Sequence, residues 1–425
     1  MINKLKLLIV SNDCLSSSSS NGRTLRNFLI GWPKENLAQF CLHGDSPDYE
    51  ICDRYFFVSD QEALKAWRKK EPAIGAPTGG NAASNNQPIA HRPRNALTMM
   101  ARNFIWNSMR WAGESFYQWV EAFSPDLILL QAGDCAFMFK LASKLSDKYR
   151  IPLVIYNSEA YYFKKFDYFR SKGIAKLFYP LFRLQFCSQF KKTLKQAKIS
   201  IYCCDKLKKD YDTAFGLPSV VIYTATQMVP ASNHVTNSPP RISYLGNLGV
   251  GRHEGLVEIA NALQKISPEL YLDVYGRIPN ETVQLAFESC AGIRYNGFVS
   301  YDEVVEIMQK SDLLIHAESF STFYKNDLRY AFSTKIADSL ASGTCFLLYA
   351  PWEMACTEYL LQNHTAYVVD QKEKLLPSLQ ELLADSSKLK RFIPRALEVV
   401  SENHDAFKNA KAFQAVLLEV FHYEA

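Results

Sequence analysis

The sequence predicts an α/β protein made of two Rossmann-like, doubly wound domains in succession, and three observations predict it. Short apolar runs such as 5–10, 125–130 and 313–315 lack the alternation of a half-wetted strand, so they read as parallel strands buried on both faces. After such runs come a polar or glycine-bearing turn and a stretch of helical period, the βαβ pattern with right-handed crossovers. The pattern stops at 227–240, which carries Pro, Ser and Asn without an apolar period, and restarts at 241.

Bulk properties bound the same answer. The 425 residues suit two or three domains at roughly 150 residues each. With 48% hydrophobic and 21% charged residues the composition is ordinary and globular. No apolar run approaches the ~18 residues of a membrane span. The opening run is too short for a signal peptide and ends in Ser-Asn-Asp rather than a small-residue cleavage site. Ten cysteines, without CxxC or paired Cys/His spacing, point to a reduced cytosolic compartment and to no zinc site. A net charge of +5 is mild, so partners are read from where the charge sits.

In chain order, 5–10 is the first strand and 16–20 a serine run. Asn21-Gly22 opens a helix with Leu25, Phe28 and Leu29 on one face, closed by Gly31-Trp32-Pro33. Residues 74–95, rich in Gly, Ala, Asn and Pro, read as a loop. One long helix is expected over 96–122, with Trp106, Trp111 and Trp119 on it. A strand at 125–130 leads to Asp134, a helix at 136–145 to a strand at 152–156, and that strand to Glu159. Asp134 suits the N-cap of the helix after it.

Residues 161–198 hold ten lysines and arginines against one acid, Asp167, with aromatics from Phe163 to Phe190 interleaved. Such a stretch reads as a membrane-surface contact. It also reads as a helical pair covering the sheet with a solvated basic face. No nucleic-acid motif accompanies it, so nucleic acid is not expected as a partner. Strands follow at 200–204 and 219–223. Asp210 and Asp212 fall in a helix at 206–215, where alternate positions face apart, so they form no shared metal site.

In the second domain a strand at 241–245 is followed by the glycine loop Gly246-Asn-Leu-Gly-Val-Gly251, Arg252 and a helix. A strand at 270–275 ends in Gly276-Arg277, and Gly297-Phe298-Val299 precedes a helix opened by the capping box Ser300-x-x-Glu303. The densest convergence is at 313–349. The strand 313–315 leads through His316 to Glu318-Ser319-Phe320-Ser321, then to the short helix 335–342 and the strand 344–349. Lys335, Asp338, Ser339 and Ser342 share one face of that helix, and Ile336, Ala337, Leu340 and Ala341 the face toward the sheet. Ser333 is the expected N-cap and Gly343 the stop. A helix N-terminus with cations, at the carboxyl edge of a parallel sheet, suits a phosphate ligand. Residues 387–425 are helical in pattern.

Glu318-Ser-Phe-Ser321 resembles the Glu-Gly-Phe-Gly loop of retaining GT-B glycosyltransferases of the family-four group. Lys335-x-x-Asp338-x-Leu-Ala-x-Gly343 resembles the helix that follows it, with Asp in place of the usual Glu and 322–332 as an insertion. Tyr244-Leu-Gly-Asn-Leu with Arg252 resembles the phosphate loop, with Asn247 where the family often has Arg. Tyr275-Gly-Arg277 and Asn296-Gly-Phe-Val299 resemble the loops facing the base.

The resemblance implies the GT-B fold, two Rossmann-like domains facing a central cleft: residues 1–226 on the acceptor side, a linker at 227–240, a donor domain at 241–400, and a helix at 401–425 crossing back to the N-terminal domain. It implies transfer of a sugar from a nucleoside-diphosphate sugar, as substrate and without cofactor or metal, to a glycan or lipid-linked acceptor. The setting is bacterial surface polysaccharide or glycoconjugate synthesis at the cytoplasmic face of the membrane. By resemblance Arg252 and Lys335 are the cations for the leaving diphosphate, beside backbone amides at Ser319, Phe320 and Ser321. Glu318 and Asp338 are acceptors for sugar and ribose hydroxyls. Gly246, Asn247, Gly276, Arg277, Phe298 and Val299 line the donor, and Glu159 orients the acceptor. Gly22 and Arg23 either face the donor or are a loop needed for backbone freedom. Two other readings stay open: a sugar-nucleotide epimerase of related fold, and a non-catalytic scaffold that keeps the fold.

Overall fold

The structure, a computed structural model, describes residues 4–16, 20–43, 47–69, 76–78, 94–231 and 236–424. The loop expected at 74–95 and the serine run at 16–20 lie largely outside the described residues. The chain divides into two compact units, one of Met1–Tyr223 with Ala406–Ala425 and one of Thr224–Asp405.

The first unit is an eight-stranded sheet of β1 (Leu7–Asp13), β2 (Leu37–His43), β3 (Arg54–Phe57), β4 (Ala76–Thr78), β5 (Leu127–Gln131), β6 (Leu153–Asn157), β7 (Ile199–Tyr202) and β8 (Ser219–Val221). The order is β4-β3-β2-β1-β5-β6-β7-β8, parallel except for the β3–β4 pair. β3 and β4 escape sequence reading because they are short, and β2 because Gln39 and His43 break its apolar run. Leu7 to Val10 and Leu127 to Leu130 are fully buried, as runs covered on both faces must be.

Two expectations change here. The helix expected over 96–122 is two, Ala96–Asn107 and Glu114–Phe123, because the chain turns at Met109 with φ 56° and restarts at Gly113. Asn95 caps the first through a reciprocal bond with Thr98. In 161–198 most of the aromatics read as part of a surface contact turn inward: Tyr179, Phe182, Phe186 and Phe190 of the Tyr179–Gln196 helix are buried, with Phe190 5.3 Å from Phe139 of the Ala136–Tyr149 helix, while Phe166 stays exposed. A ring buries more apolar area than an aliphatic chain, so the rings take the inner face.

The second unit is a six-stranded parallel sheet of β9 (Ile242–Leu245), β10 (Leu272–Tyr275), β11 (Ile293–Tyr295), β12 (Leu313–Ala317), β13 (Cys345–Tyr349) and β14 (Tyr367–Val369). Its order is β11-β10-β9-β12-β13-β14. Successive strands run outward from β9 on one side and from β12 on the other, so the strand order reverses between them. This is the place where open α/β sheets leave a crevice at their carboxyl edge.

The segment expected as a linker, 227–240, belongs to this second unit. It is held there by Ala231 donating to the Ser342 carbonyl at 3.1 Å and by Asn237 donating to Asp312 at 2.8 Å. The chain returns to the first unit at Ala406, five residues later than expected, after a π-turn at Val400–His404. The Ala406–Glu424 helix then stacks Phe413 on Phe28 at 5.0 Å.

His404 is fully buried in that π-turn. Its Nδ1 lies 2.7 Å from the Thr224 carbonyl and its Nε2 2.9 Å from the Tyr359 hydroxyl. Of the two neutral tautomers, the one with a proton on Nδ1 fits, donating to the carbonyl and accepting from the tyrosine. Burial lowers the imidazole from 6.5 to about 4, against the pull of the Thr224 carbonyl and the Asp338 charge. The unfolded chain takes up this proton near 6.5 and the folded chain near 4, so between these values the unfolded state holds more protons and stability falls with acid. Thermal unfolding followed from pH 7 to 4 should show that fall, and His404→Gln should flatten it by up to roughly 3 kcal/mol.

Candidate active site

The carboxyl ends of β9 and β12 supply the site. After Leu245 the chain turns tightly: the Asn247 side chain accepts from the Gly249 amide at 2.8 Å, and the Tyr244 hydroxyl donates to the Asn247 carbonyl at 2.7 Å. Val250 and Gly251 follow with φ of 51° and 78°. The Arg252–Ile266 helix then begins with Arg252 in its first turn. A Cβ on Gly251 would lie 2.4 Å from the Tyr324 ring and 2.7 Å from Ser319 Oγ. Glycine is therefore required both for the backbone and for the space.

On the other strand, Glu318 continues β12 by donating its amide to Tyr349 at 3.0 Å. Its carboxylate meets Arg252 side on, with Nε to Oε2 at 3.0 Å and NH2 to Oε1 at 2.7 Å. His316 Nε2 donates to Oε1 at 3.1 Å. Arg252 is 8% exposed and Glu318 2%. Burial pushes the Glu318 carboxyl up, but the Arg252 charge and the His316 hydrogen bond outweigh it and bring it from 4.5 down to about 2. The same carboxylate, against the burial that opposes a charge, holds Arg252 above its ordinary value. Arg252 thus gives two of its five N–H donors to Glu318, so the two residues expected in separate roles meet as one ion pair.

Ser319 to Ser321 form a compact turn. The Ser321 amide donates to Ser319 Oγ at 3.2 Å, and Phe320 packs on Tyr349 at 4.7 Å. The insertion folds as the Thr322–Leu328 helix, pinned by Lys325 to Glu353 at 2.6 Å and by Ala355 donating to the Arg329 carbonyl at 2.8 Å. It lays Tyr324 against Gly251 and Ser319.

The Thr334–Ala341 helix starts at Ser333, whose hydroxyl accepts from the Lys335 amide at 3.2 Å. Gly343 follows with φ 76°. The polar face is covered: Asp338, Ser339 and Ser342 are buried, as Ile336 and Leu340 are. The reason is the 224–231 segment, which packs on that side. Thr226 Oγ1 donates to Asp338 Oδ1 at 2.8 Å, the Tyr301 hydroxyl donates to the same oxygen at 3.1 Å, and Lys335 Nζ stands 3.6 Å from Oδ2. Lys335 stays partly accessible at 22% and lies 5.3 Å from the Tyr301 ring.

Around the edge of the sheet, Gly276 approaches the Gly246 carbonyl so closely that a Cβ would be 2.2 Å from it. Arg277 stacks on the exposed Phe298 ring at 4.2 Å, next to the half-buried Val299. These candidates thus follow the carboxyl ends of β9, β10 and β11.

In the first unit Gly22 is inside the Ser20–Phe28 helix with Arg23, not in a glycine turn. Glu159 follows β6 and pairs with Lys164 at 3.3 Å. Asp134 does not cap the helix after it. It is bound instead by Arg94, which lies 40 residues earlier in the chain. His316 was also missed, although its position two residues before Glu318 on one strand puts both on the same side. Thr226 and Tyr301 left no such signal, because each reaches Asp338 from a distant part of the chain.

Residues 252–415 match a family model described as glycosyl transferase-like. Among solved structures, a sucrose-phosphate synthase from Thermosynechococcus elongatus superposes with a TM-score of 0.64 at 12% identity, covering 98% of this chain and 100% of that one. Anabaena HepE in complex with UDP and glucose gives 0.63 at 12%, with 98% and 100% covered. WaaG, a glycosyltransferase involved in lipopolysaccharide biosynthesis, gives 0.59 at 12%, with 96% and 99% covered. No curated protein sequence matches. The fold of this chain is GT-B, and the stretch similar to the glycosyl transferase-like model lies mostly in its second unit.

Removing either member of the buried pair strands the other's charge. Arg252→Met and Glu318→Gln should each lower stability by about 3–5 kcal/mol, and the double variant by less than the sum. Chemical denaturation of the three variants against wild type measures this.

Proposed function

We propose that this chain, with its glycosyl transferase-like second unit, transfers a sugar with retention from a nucleoside-diphosphate sugar to a glycan or lipid-linked acceptor. The setting is bacterial surface polysaccharide or glycoconjugate synthesis, at the cytoplasmic membrane face. The observation that carries the reading is the glycine loop, the Arg252–Glu318 pair and the Lys335 helix N-terminus meeting at the carboxyl edge of one sheet, inside the matched domain. UDP and glucose in HepE make a uridine donor the first to try, and WaaG's role in lipopolysaccharide biosynthesis supports the acceptor class.

In this reading the diphosphate leaves as an anion beside Lys335 and the amides that open its helix, where a preorganised cation stabilises the charge as it develops. Glu318 orients sugar hydroxyls. Arg252 is a positioning residue that holds Glu318 ionised and fixed. Asp338, anchored by Thr226 and Tyr301, faces the ribose with Lys335, and Glu159 orients the acceptor. The nucleotide sugar is the substrate, and no cofactor is invoked.

A non-catalytic reading draws on two observations: Arg252 is engaged by Glu318, and Tyr324 lies against the glycine loop. Both readings meet one experiment, a thermal-shift series with UDP-, GDP-, ADP- and TDP-sugars on wild type and Lys335→Ala. Saturation at a hundred times the dissociation constant should raise stability by ~2.7 kcal/mol with one base. Lys335→Ala should lower turnover by on the order of a hundredfold. A shift without turnover in any acceptor mixture or by hydrolysis supports the non-catalytic reading, and no shift with any nucleotide removes the transferase.

A further inference from the structure

The Ile174–Leu177 and Tyr179–Gln196 helices are joined through Phe178, whose backbone is also right-handed helical. With their rings turned inward, the outer side carries aliphatics that none of the described residues covers: Ile174 is 71% exposed, Leu177 74%, Leu181 51% and Leu184 68%. From Leu177 the outward positions step by four and three through Leu181, Leu184, Ser188, Lys191 and Lys195, one continuous line on a helix. The line is apolar at its first half and cationic at its second. Lys172 and Lys176 flank the apolar half and are exposed. The only acid in 161–198, Asp167, accepts from the amides of Phe169 and Ser171 at 3.0 and 3.1 Å, so it is occupied in a turn.

We infer that this face docks on an anionic lipid bilayer, with Leu177, Leu181 and Leu184 entering the headgroup–acyl boundary and the lysines meeting lipid phosphates. Four exposed aliphatics in one patch disfavour open water, and the lysines complement a negative surface, with Asp147 at their far end held by Gln196 at 2.9 Å. A second copy of the chain would bring the same positive charge to the contact. A nucleic acid would meet phosphates with leucines. No helix among the described residues is long and apolar enough to cross a membrane, so the contact lies in the surface plane. The inference deepens the membrane placement proposed above and rests on that placement alone, not on glycosyl transfer.

The test is flotation of the full chain with vesicles of phosphatidylcholine alone or with one third phosphatidylglycerol, at about 0.15 M salt. Three proteins are compared: wild type, Leu177→Ser/Leu181→Ser/Leu184→Ser, and Lys191→Glu/Lys192→Glu/Lys195→Glu. Wild type should float with the anionic vesicles and not with the neutral ones, and each triple variant should bind at least on the order of tenfold more weakly. The changed residues are exposed, so unfolding temperature and nucleotide-induced shift should stay at wild-type values, which separates loss of docking from loss of the donor site. Absence of wild-type flotation overturns the inference, as does equal binding to neutral vesicles or binding unchanged in the leucine variant. Doubling of mass in light scattering that the leucine variant abolishes, without flotation, assigns the face to a second copy instead.

Discussion

The second unit depends on one buried ion pair set across the point where its strand order reverses. Arg252 comes from the helix after β9 and Glu318 from the end of β12, and their side-on contact ties the two halves of the sheet together at its carboxyl edge. Two charges with so little water around them have lost most of their hydration, and attraction offsets that only when the geometry is bidentate and further hydrogen bonds complete it. Both conditions hold here, with His316 as the third member. The geometry in turn requires the left-handed turn at Gly251, which starts the helix where Arg252 can reach back across the sheet. Packing of Tyr324 and Ser319 against that glycine then closes the turn.

The same logic organises the neighbouring helix. Asp338 is as buried as the leucines beside it, and an ionised carboxylate there needs partners. Thr226, Tyr301 and Lys335 supply them from three separate stretches of the chain. Lys335 keeps part of its surface open at a helix N-terminus, where the backbone already favours an anion. The donor proposed above, with a diphosphate and several hydroxyls, matches in its chemistry a positive helix end, fixed carboxylates and a glycine-walled turn within one unit. The GT-B fold alone would not argue this, since one fold serves many chemistries. The disposition of these side chains does.

The first unit shows the opposite division of labour. Its basic helix spends its rings on the inside, against the Ala136–Tyr149 helix, and leaves aliphatics and lysines outside. An interior takes the largest apolar surfaces first, so what remains exposed is informative because it is not needed for packing.

Sequence by itself determined the two doubly wound units, the glycine loop before Arg252, the Ser333 cap, the Gly343 stop and the gathering of Glu318, Lys335 and Asp338 near one sheet edge. These are local matters of apolar run, period and turn chemistry, written in neighbouring residues. Tertiary structure alone decided that Arg252 spends its charge on Glu318, that Thr226 and Tyr301 reach Asp338, that Arg94 takes Asp134 from its cap, and that 227–240 lies on the second unit. It also decided which side of the basic helix faces out. Each of these depends on residues tens to more than a hundred positions apart, or on the choice between two faces that are both apolar. Periodicity says that a face exists, whereas which partner covers it is set by packing and by the cost of leaving a buried charge alone.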